Sequence, residues 1–113
     1  MKLERAGAGG KGWYLGPWNS ELPISLGYAN AGIDEPHVHT TTTEIYVIGR
    51  GHSTVRVGRE TIELQAGDAL VVEPGEPHTF LTSSDDYFHV VVHCFGAAED
   101  EKRPVPRVEL GLG

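Results

Sequence analysis

The sequence predicts a single all-β domain closed into a barrel, and three observations support this fold class. The chain has 113 residues, the length of one ordinary domain. It contains 15 glycines and 7 prolines, a composition typical of a chain with many turns and few helices. Short apolar runs alternate with turn residues at intervals of roughly eight to twelve residues, and no stretch has convincing helical periodicity.

Strand candidates follow one another along the chain. They cover residues 13–15, 24–30, 36–40, 44–48, 53–57, 61–65, 69–72, 78–81 and 87–95, with a possible last strand at 107–110. Gly49-Arg50-Gly51 allows a positive φ between two strands, Val57-Gly58-Arg59-Glu60 predicts a tight hairpin, and Ala66-Gly67-Asp68 predicts another reversal. Glu73-Pro74-Gly75-Glu76-Pro77 predicts a rigid turn. Three successive hairpins favour a barrel, because closure removes exposed sheet edges.

The two ends of the chain are predicted to lie outside this barrel, which we expect to span residues 13–96. Residues 1–12 include a glycine-rich run from Ala6 to Gly12 and form a flexible segment. Residues 97–113 form a C-terminal tail or arm that begins with a charged run and then carries Pro104 and Pro106. An arm that docks on a partner subunit and a solvated tail are both open, and we favour the solvated tail.

Charge and cysteine content exclude several classes of function. The net charge is -7, with nine basic and sixteen acidic residues, which argues against nucleic acids and anionic membranes as partners. The single cysteine, Cys94, allows neither an intramolecular disulfide nor a cysteine zinc cluster. No apolar run approaches the roughly 18 residues of a membrane helix, and the first residues lack the apolar stretch of a signal peptide. A cytoplasmic protein is expected.

Four side chains are candidates to hold one metal ion together. Residues two apart on a strand point the same way, so His37 and His39 present two imidazoles to one side. Glu44 begins the next strand, and His78 begins a later strand after the proline-containing turn. A single histidine on a strand is more commonly a surface or hydrogen-bonded residue, so the prediction depends on all four. Three imidazoles and one carboxylate suit zinc, iron, manganese, nickel or copper.

With these residues in this order, the sequence resembles the cupin superfamily in two motifs. The first combines a glycine, a His-x-His pair, a glutamate and a second glycine, here Gly32, His37-Val38-His39, Glu44 and Gly51. The second combines a glycine, a Pro-x-Gly-like turn and a histidine, here Gly67, Glu73-Pro74-Gly75 and His78. The resemblance covers roughly residues 20–95, or most of the chain.

Three positions depart from the family pattern, and none of them is a metal ligand in the family. Gly32 is separated from His37 by four residues where five are usual, Glu73 replaces a proline, and Thr82 replaces an asparagine. The resemblance therefore implies a small single-domain cupin of the conserved-barrel type, folded as a double-stranded β-helix or jelly-roll barrel. It also implies a working metal site on His37, His39, Glu44 and His78, and a homodimer.

His89 and His93 lie four residues apart on the strand 87–95, and the pattern of that strand has two interpretations. Its other face is wholly apolar and carries Phe88, Val90, Val92 and Cys94. The simpler assignment therefore turns that face inward and both histidines outward, where they could lie in a dimer interface. The opposite register would place both histidines in the pocket, behind the metal ligands or as acid–base groups.

Aromatic residues near the predicted ligands are candidates to line a substrate cavity. They are Tyr28, Tyr46 and Phe80, joined by Trp18 if the N-terminal segment folds over the barrel mouth. His52 is expected to face outward.

Two classes of function fit these features. The first is a metal-dependent enzyme acting on a small organic molecule, with a dioxygenase-type reaction preferred and an isomerase of a sugar or keto compound as a variant. Glu44 would be a fourth ligand or a general base. The second is a non-enzymatic barrel that binds a small ligand or is stabilised by its metal. Open ligand positions beside a cavity favour the enzyme, and a closed four-coordinate site favours the structural role.

Overall fold

The computed structural model describes residues 1–96 and 99–113, and the predicted start of the tail at residue 97 lies outside the described residues. The all-β class is confirmed: the described residues form ten strands and one short 3-10 helix. The strands are β1 (Lys11–Leu15), β2 (Ile24–Ala29), β3 (His37–His39), β4 (Thr43–Arg50), β5 (His52–Val57), β6 (Glu60–Gln65), β7 (Ala69–Val72), β8 (His78–Ser83), β9 (Phe88–Cys94) and β10 (Lys102–Pro104), and the 3-10 helix is Arg107–Leu110.

Two antiparallel five-stranded sheets face each other around the core. The first has the strand order β1-β2-β9-β4-β7, and the second has the order β10-β3-β8-β5-β6. Along β4 the inward residues run from Glu44 through Tyr46 to Ile48, all buried. Ile48 belongs to the apolar cluster with Val55 and Phe80 of the second sheet. The barrel interior is therefore apolar at one end and polar at the other.

The predicted turns between β4 and β6 form as expected. Gly51 has a φ of 72° and ends β4, and Gly58 has a φ of 56° in the two-residue connection of β5 and β6. Val57 pairs with Glu60 on either side of this connection, which fixes the register of the hairpin. His52 is exposed at the start of β5, as predicted.

The C-terminal segment packs on the barrel, and this corrects the predicted solvated tail. β10 pairs antiparallel with β3, with Arg103 opposite Val38. Pro104 fits there because β10 is an edge strand and needs no donor on its outer side. Val105 and Leu110 are buried, and they hold the segment down. The possible strand at 107–110 was also wrong, since these residues form the 3-10 helix.

The register of β9 is opposite to the simpler prediction. Val91 pairs with Gly27 of β2 and with Tyr46 of β4, and His89 is only 4% exposed. His89, Val91 and His93 therefore face the barrel interior. The apolar face of β9 lies outside, where Phe88 stacks on Tyr28 with ring centroids 6.3 Å apart. Among the described residues, no helical segment has the length and apolar character needed to cross a membrane.

Candidate metal centre

Four histidine side chains converge on the carboxylate of Glu44. Oε1 of Glu44 lies 2.9 Å from Nε2 of His78, 3.2 Å from Nε2 of His39 and 3.7 Å from Nε2 of His37. Oε2 lies 3.2 Å from Nε2 of His93. Glu44 is 2% exposed and His78 is 1% exposed, so the centre of the cluster is buried. The structure brings together all four predicted ligands and adds a fifth donor.

Two cross-strand pairings create this cluster. His37 of β3 is paired with His78 of β8, and Glu44 of β4 is paired with His93 of β9. Paired residues on neighbouring strands project to the same side of their sheet. Because the first pair lies in one sheet and the second in the other, the donors meet in the space between the sheets.

Backbone carbonyls orient two of the imidazoles. Nδ1 of His37 donates to the carbonyl oxygen of Glu35 at 2.8 Å, and Nδ1 of His78 donates to that of Glu76 at 3.0 Å. A carbonyl can only accept, so the proton of each neutral ring lies on Nδ1. Both rings therefore turn an unprotonated Nε2 toward Glu44, which is the state a metal ligand requires.

A carboxylate orients the third imidazole. Oδ2 of Asp100 accepts a hydrogen bond from Nδ1 of His39 at 2.8 Å, while Oδ1 accepts from the backbone N–H of Thr41 at 2.9 Å and of Thr42 at 3.0 Å. Desolvation would raise the pKa of Asp100, but the hydrogen bonds from His39 and the two amides outweigh it and hold that pKa well below its usual range. Asp100 is therefore an ionised acceptor.

The central atoms of the cluster fit a metal ion. Among the described residues, Oε1 of Glu44 and Nε2 of His78 are buried polar atoms without a hydrogen-bond partner. With the His78 proton on Nδ1, two lone pairs face each other, and a cation between them would satisfy both. Two ligands about 2.1 Å from one ion are separated by about 3.0 Å at a right angle and about 3.4 Å at a tetrahedral angle. The observed separations of 2.9 to 3.7 Å bracket these values.

Glu44 and Tyr46 form a hydrogen bond in which Glu44 is the charged acceptor and Tyr46 is the neutral donor. Burial would raise the pKa of Glu44, but hydrogen bonding from the surrounding imidazoles, among them His93 at Oε2, outweighs burial and holds that pKa well below its usual range. The hydroxyl of Tyr46 donates to Oε2 of Glu44 at 2.7 Å. Burial raises the pKa of Tyr46 well above its ordinary value, and the charge and hydrogen bond of Glu44 raise it further. Tyr46 therefore remains a neutral phenol that fixes one carboxylate oxygen.

A cavity of about 550 Å³ opens onto these donors. Tyr46 and Phe80 line it, as predicted, whereas Tyr28 does not. The hydroxyl of Tyr28 instead accepts from the backbone N–H of Gly7 at 2.6 Å, on the outer face of the first sheet. The remaining lining residues are His37, His39, Glu44, His89, His93, Val91, Ala29, Ala31, Ile33, Gly12, Trp13, Lys11, Glu35 and Lys102.

Trp13, and not Trp18, reaches the cavity from the N-terminal side. Its ring lies edge-on to His93 with centroids 5.0 Å apart. Trp18 is 62% exposed and packs against Trp13 from the outside, at 6.3 Å. The indole of Trp13 therefore lies beside His93, the most exposed of the four imidazoles.

His89 is a buried histidine that forms no part of the donor cluster. Its Nδ1 lies 2.6 Å from the hydroxyl of Tyr87, and its ring contacts those of Tyr46 and Phe80. Burial lowers the pKa of His89 to about 4, although the charge of Glu44 opposes the shift. Burial likewise raises the pKa of Tyr87 to about 12, against a hydrogen bond from Ser53. Both groups are neutral at pH 7.

We expect His89→Asn to reduce the acid sensitivity of the metal-free barrel. The unfolded chain protonates His89 near pH 6.5 and the folded chain near pH 4, so stability is present above pH 6.5 and is lost as the pH falls toward 4. Linkage makes this loss about 2–3 kcal/mol, and Asn retains an acceptor for Tyr87. Urea unfolding at pH 7 and pH 4.5 measures it, with the exposed His52→Asn as control. Equal pH dependence in the wild type and His89→Asn would contradict the expectation.

The sequence motifs contain neither His93 nor Asp100. The sequence contained one indication that His93 faces inward, namely that it shares a strand face with Val91 and His89. The wholly apolar opposite face favoured the other register. Asp100 lies in the charged run 99–103, where nothing local distinguishes it from its neighbours. Its role depends on the pairing of β10 with β3, which is a long-range contact.

A family model described as a cupin domain matches residues 27–96, more than half of the chain. No curated protein sequence gives a significant match. The family match spans β3 to β9 and includes every histidine of the cluster.

Solved structures with the same fold are distant in sequence. A Klebsiella pneumoniae protein with a double-stranded β-helix domain is 20% identical with a TM-score of 0.61, over 90% of this chain and 91% of the other. The Streptomyces nucleoside dehydratase Pac13 is 15% identical with a TM-score of 0.64, over 94% and 89%. A glycine-to-alanine mutant of salicylate 1,2-dioxygenase from Pseudoaminobacter salicylatoxidans, in complex with gentisate, is 18% identical with a TM-score of 0.61, over 74% of this chain and 24% of the other.

Proposed function

The chain belongs to the cupin domain family, and from this premise we propose that it is a metal-dependent enzyme for a small organic molecule. One divalent transition-metal ion binds His37, His39, Glu44 and His78. The observation that carries the proposal is the unpartnered pair of Glu44 Oε1 and His78 Nε2, buried beside a cavity of about 550 Å³. Imidazole and carboxylate donors suit iron, manganese, nickel, copper or zinc.

The protein prepares the site in ways that do not depend on which metal binds. Tyr46 holds Oε2 of Glu44, so the carboxylate presents Oε1 to the ion. Phe80, Val91 and Ile33 give the cavity apolar walls that favour the apolar part of a ligand over water. Lys102, exposed at the cavity, favours a ligand with an anionic group. When bound, the ion would supply Lewis acidity or a position for a second small ligand such as dioxygen.

A dioxygenase-type reaction is the preferred class. Four protein ligands on a six-coordinate ion would leave two positions for substrate and dioxygen, and a cavity borders the donor cluster. An isomerase for a sugar or keto compound, using the ion as a Lewis acid, is the variant. Structural neighbours include a dioxygenase and a nucleoside dehydratase, so this fold hosts oxygenation as well as dehydration. A homodimer and a cytoplasmic location remain predictions.

A second candidate function is a metal-stabilised or small-ligand-binding barrel without catalysis. His93 favours it, because its Nε2 lies 3.2 Å from Oε2 of Glu44 and the side chain borders the cavity. As a further ligand, His93 would occupy a position that the enzyme needs open. Metal binding to the folded state alone then raises stability by mass action.

Cobalt substitution separates the two functions. We expect the Co²⁺-loaded protein to show the weak visible absorption of a five- or six-coordinate ion, and added azide to change that spectrum by entering an open position. Azide with free Co²⁺ and with metal-free protein provides the background. A spectrum that azide leaves unchanged, either tetrahedral with four ligands or five-coordinate with His93 as a further ligand, would reject the enzyme and favour the structural barrel.

A further inference from the structure

We propose that Asp100 is a positioning residue of the metal centre, which holds the imidazole of His39 from a part of the chain beyond the family match at residues 27–96. The inference rests on the proposed metal site. It assigns a role in that site to the C-terminal segment, which the sequence motifs do not include.

Both oxygens of the Asp100 carboxylate are engaged. Oδ2 accepts from Nδ1 of His39 at 2.8 Å, and Oδ1 accepts from the backbone N–H groups of Thr41 and Thr42 at 2.9 and 3.0 Å. Rotation of the carboxylate would break at least one of these bonds. His39 is 8% exposed, so its ring has little solvent to replace a lost acceptor.

The backbone around Asp100 is tied to the strand that carries His39. Thr40 donates its N–H to the carbonyl of Glu101 at 3.1 Å, and the Thr40 hydroxyl accepts from the N–H of Glu101 at 2.8 Å. Lys102 then stands opposite His39 in the pairing of β10 with β3. The backbone that carries Asp100 is therefore held against β3 by hydrogen bonds, and Asp100 does not lie on a free chain end.

The acceptor differs in kind from those of the other ligands. His37 and His78 donate Nδ1–H to neutral carbonyl groups, whereas His39 donates to a carboxylate. A charge-assisted hydrogen bond is shorter and about twice as strong as a neutral one. A carboxylate behind a histidine ligand fixes its tautomer and raises its basicity, and removing such a partner costs about 10–100-fold in metal affinity.

Two variants at this position separate positioning of His39 from ordering of the loop. Asp100→Asn can keep its side-chain oxygen on the amides of Thr41 and Thr42, but its NH₂ group cannot accept from His39. Asp100→Ala loses both sets of contacts. Glu99→Gln is the matched control, because it removes the same charge from an adjacent, exposed residue.

The test is titration of each metal-free protein with Co²⁺ alone, followed by visible absorption, beside thermal unfolding without metal. We expect Asp100→Asn and Asp100→Ala both to weaken Co²⁺ binding about 10–100-fold, and Glu99→Gln to change it less than about threefold. We expect metal-free Asp100→Asn to unfold near the wild-type temperature.

Three outcomes would overturn the proposal. Asp100→Asn that binds Co²⁺ as tightly as Glu99→Gln would overturn the role of Asp100 and leave the proposed function intact. Weak binding by Asp100→Ala alone would assign Asp100 to the loop and not to His39. A wild-type protein that takes up no Co²⁺ would reject both the metal site and the role of Asp100.

Discussion

Replacing Glu44 with glutamine is expected to remove the metal from the purified protein while the barrel stays folded. Oε1 of Glu44 lies within 3.7 Å of the Nε2 atoms of His37, His39 and His78. Glutamine keeps the size and an acceptor for Tyr46, but it loses the negative charge that balances a divalent cation. The loss of affinity should exceed the roughly 100-fold that removal of a residue behind the ligands causes.

Elemental analysis of protein purified without added metal or chelator measures this result. The wild type is expected to hold about one equivalent, and Glu44→Gln and His78→Ala essentially none. Glu63→Gln is the matched control, because Glu63 is an exposed carboxylate on β6. A Glu44→Gln protein that retains the wild-type metal content would reject Glu44 as a ligand.

Glu44→Gln should weaken metal binding without lowering the free energy of unfolding of the metal-free protein. In metal-free wild type, Oε1 of Glu44 and Nε2 of His78 are 2.9 Å apart, and with the His78 proton on Nδ1 neither atom can donate to the other. The amide NH₂ of a glutamine can donate to that nitrogen, so an unsatisfied buried pair becomes a hydrogen bond. Metal-free Glu44→Gln should therefore unfold at the wild-type urea concentration or above it, as expected of a site whose residues serve binding over stability.

The proposed ligand set depends on local information, which is why it can be proposed from the sequence alone. His37 and His39 share a face by simple alternation, and Glu44 and His78 each begin a strand next to a recognisable turn. The all-β class followed from the same turns and apolar runs. No distant contact was needed for either prediction.

The orientation of β9 could not be obtained in this way. The usual rule turns the apolar face of a strand inward, but the inward face of β9 borders a polar site and carries His89 and His93. On its apolar face, Phe88 stacks with Tyr28 of β2, and the face is half-buried. The rule fails here because the barrel interior is itself polar at the ligand end.

The end of the chain was predicted incorrectly for a related reason. The charged run and the two prolines indicate exposure, and most of residues 101–109 are indeed exposed. The segment is held by few residues, chiefly Val105, Leu110 and the carboxylate of Asp100. The average composition of the segment does not reveal these three residues, and their partners lie more than fifty residues away in sequence.

Leu110→Ala is expected to destabilise the whole barrel if this segment is part of it. Leu110 is 0% exposed, and its carbonyl oxygen accepts from Nε of Arg56 at 2.8 Å. Truncating a fully buried leucine costs about 2–5 kcal/mol, because the transfer energy is lost and a cavity is left. Urea unfolding of the metal-free variant measures it. Val108→Ala is the control on the same 3-10 helix, since Val108 is 65% exposed and its truncation should cost less than about 0.5 kcal/mol.

The way in which Leu110→Ala loses stability distinguishes two ways in which the C-terminal segment can be attached to the barrel. A lower urea midpoint with one cooperative transition means that the segment unfolds together with the sheets. An unchanged global midpoint, with earlier loss of protection in the amides of β10, means that the segment detaches locally. In that second case Leu110→Ala should still weaken Co²⁺ binding, because detachment takes Asp100 away from His39. Leu110→Ala with wild-type stability and wild-type Co²⁺ affinity would contradict the packed C-terminal segment altogether.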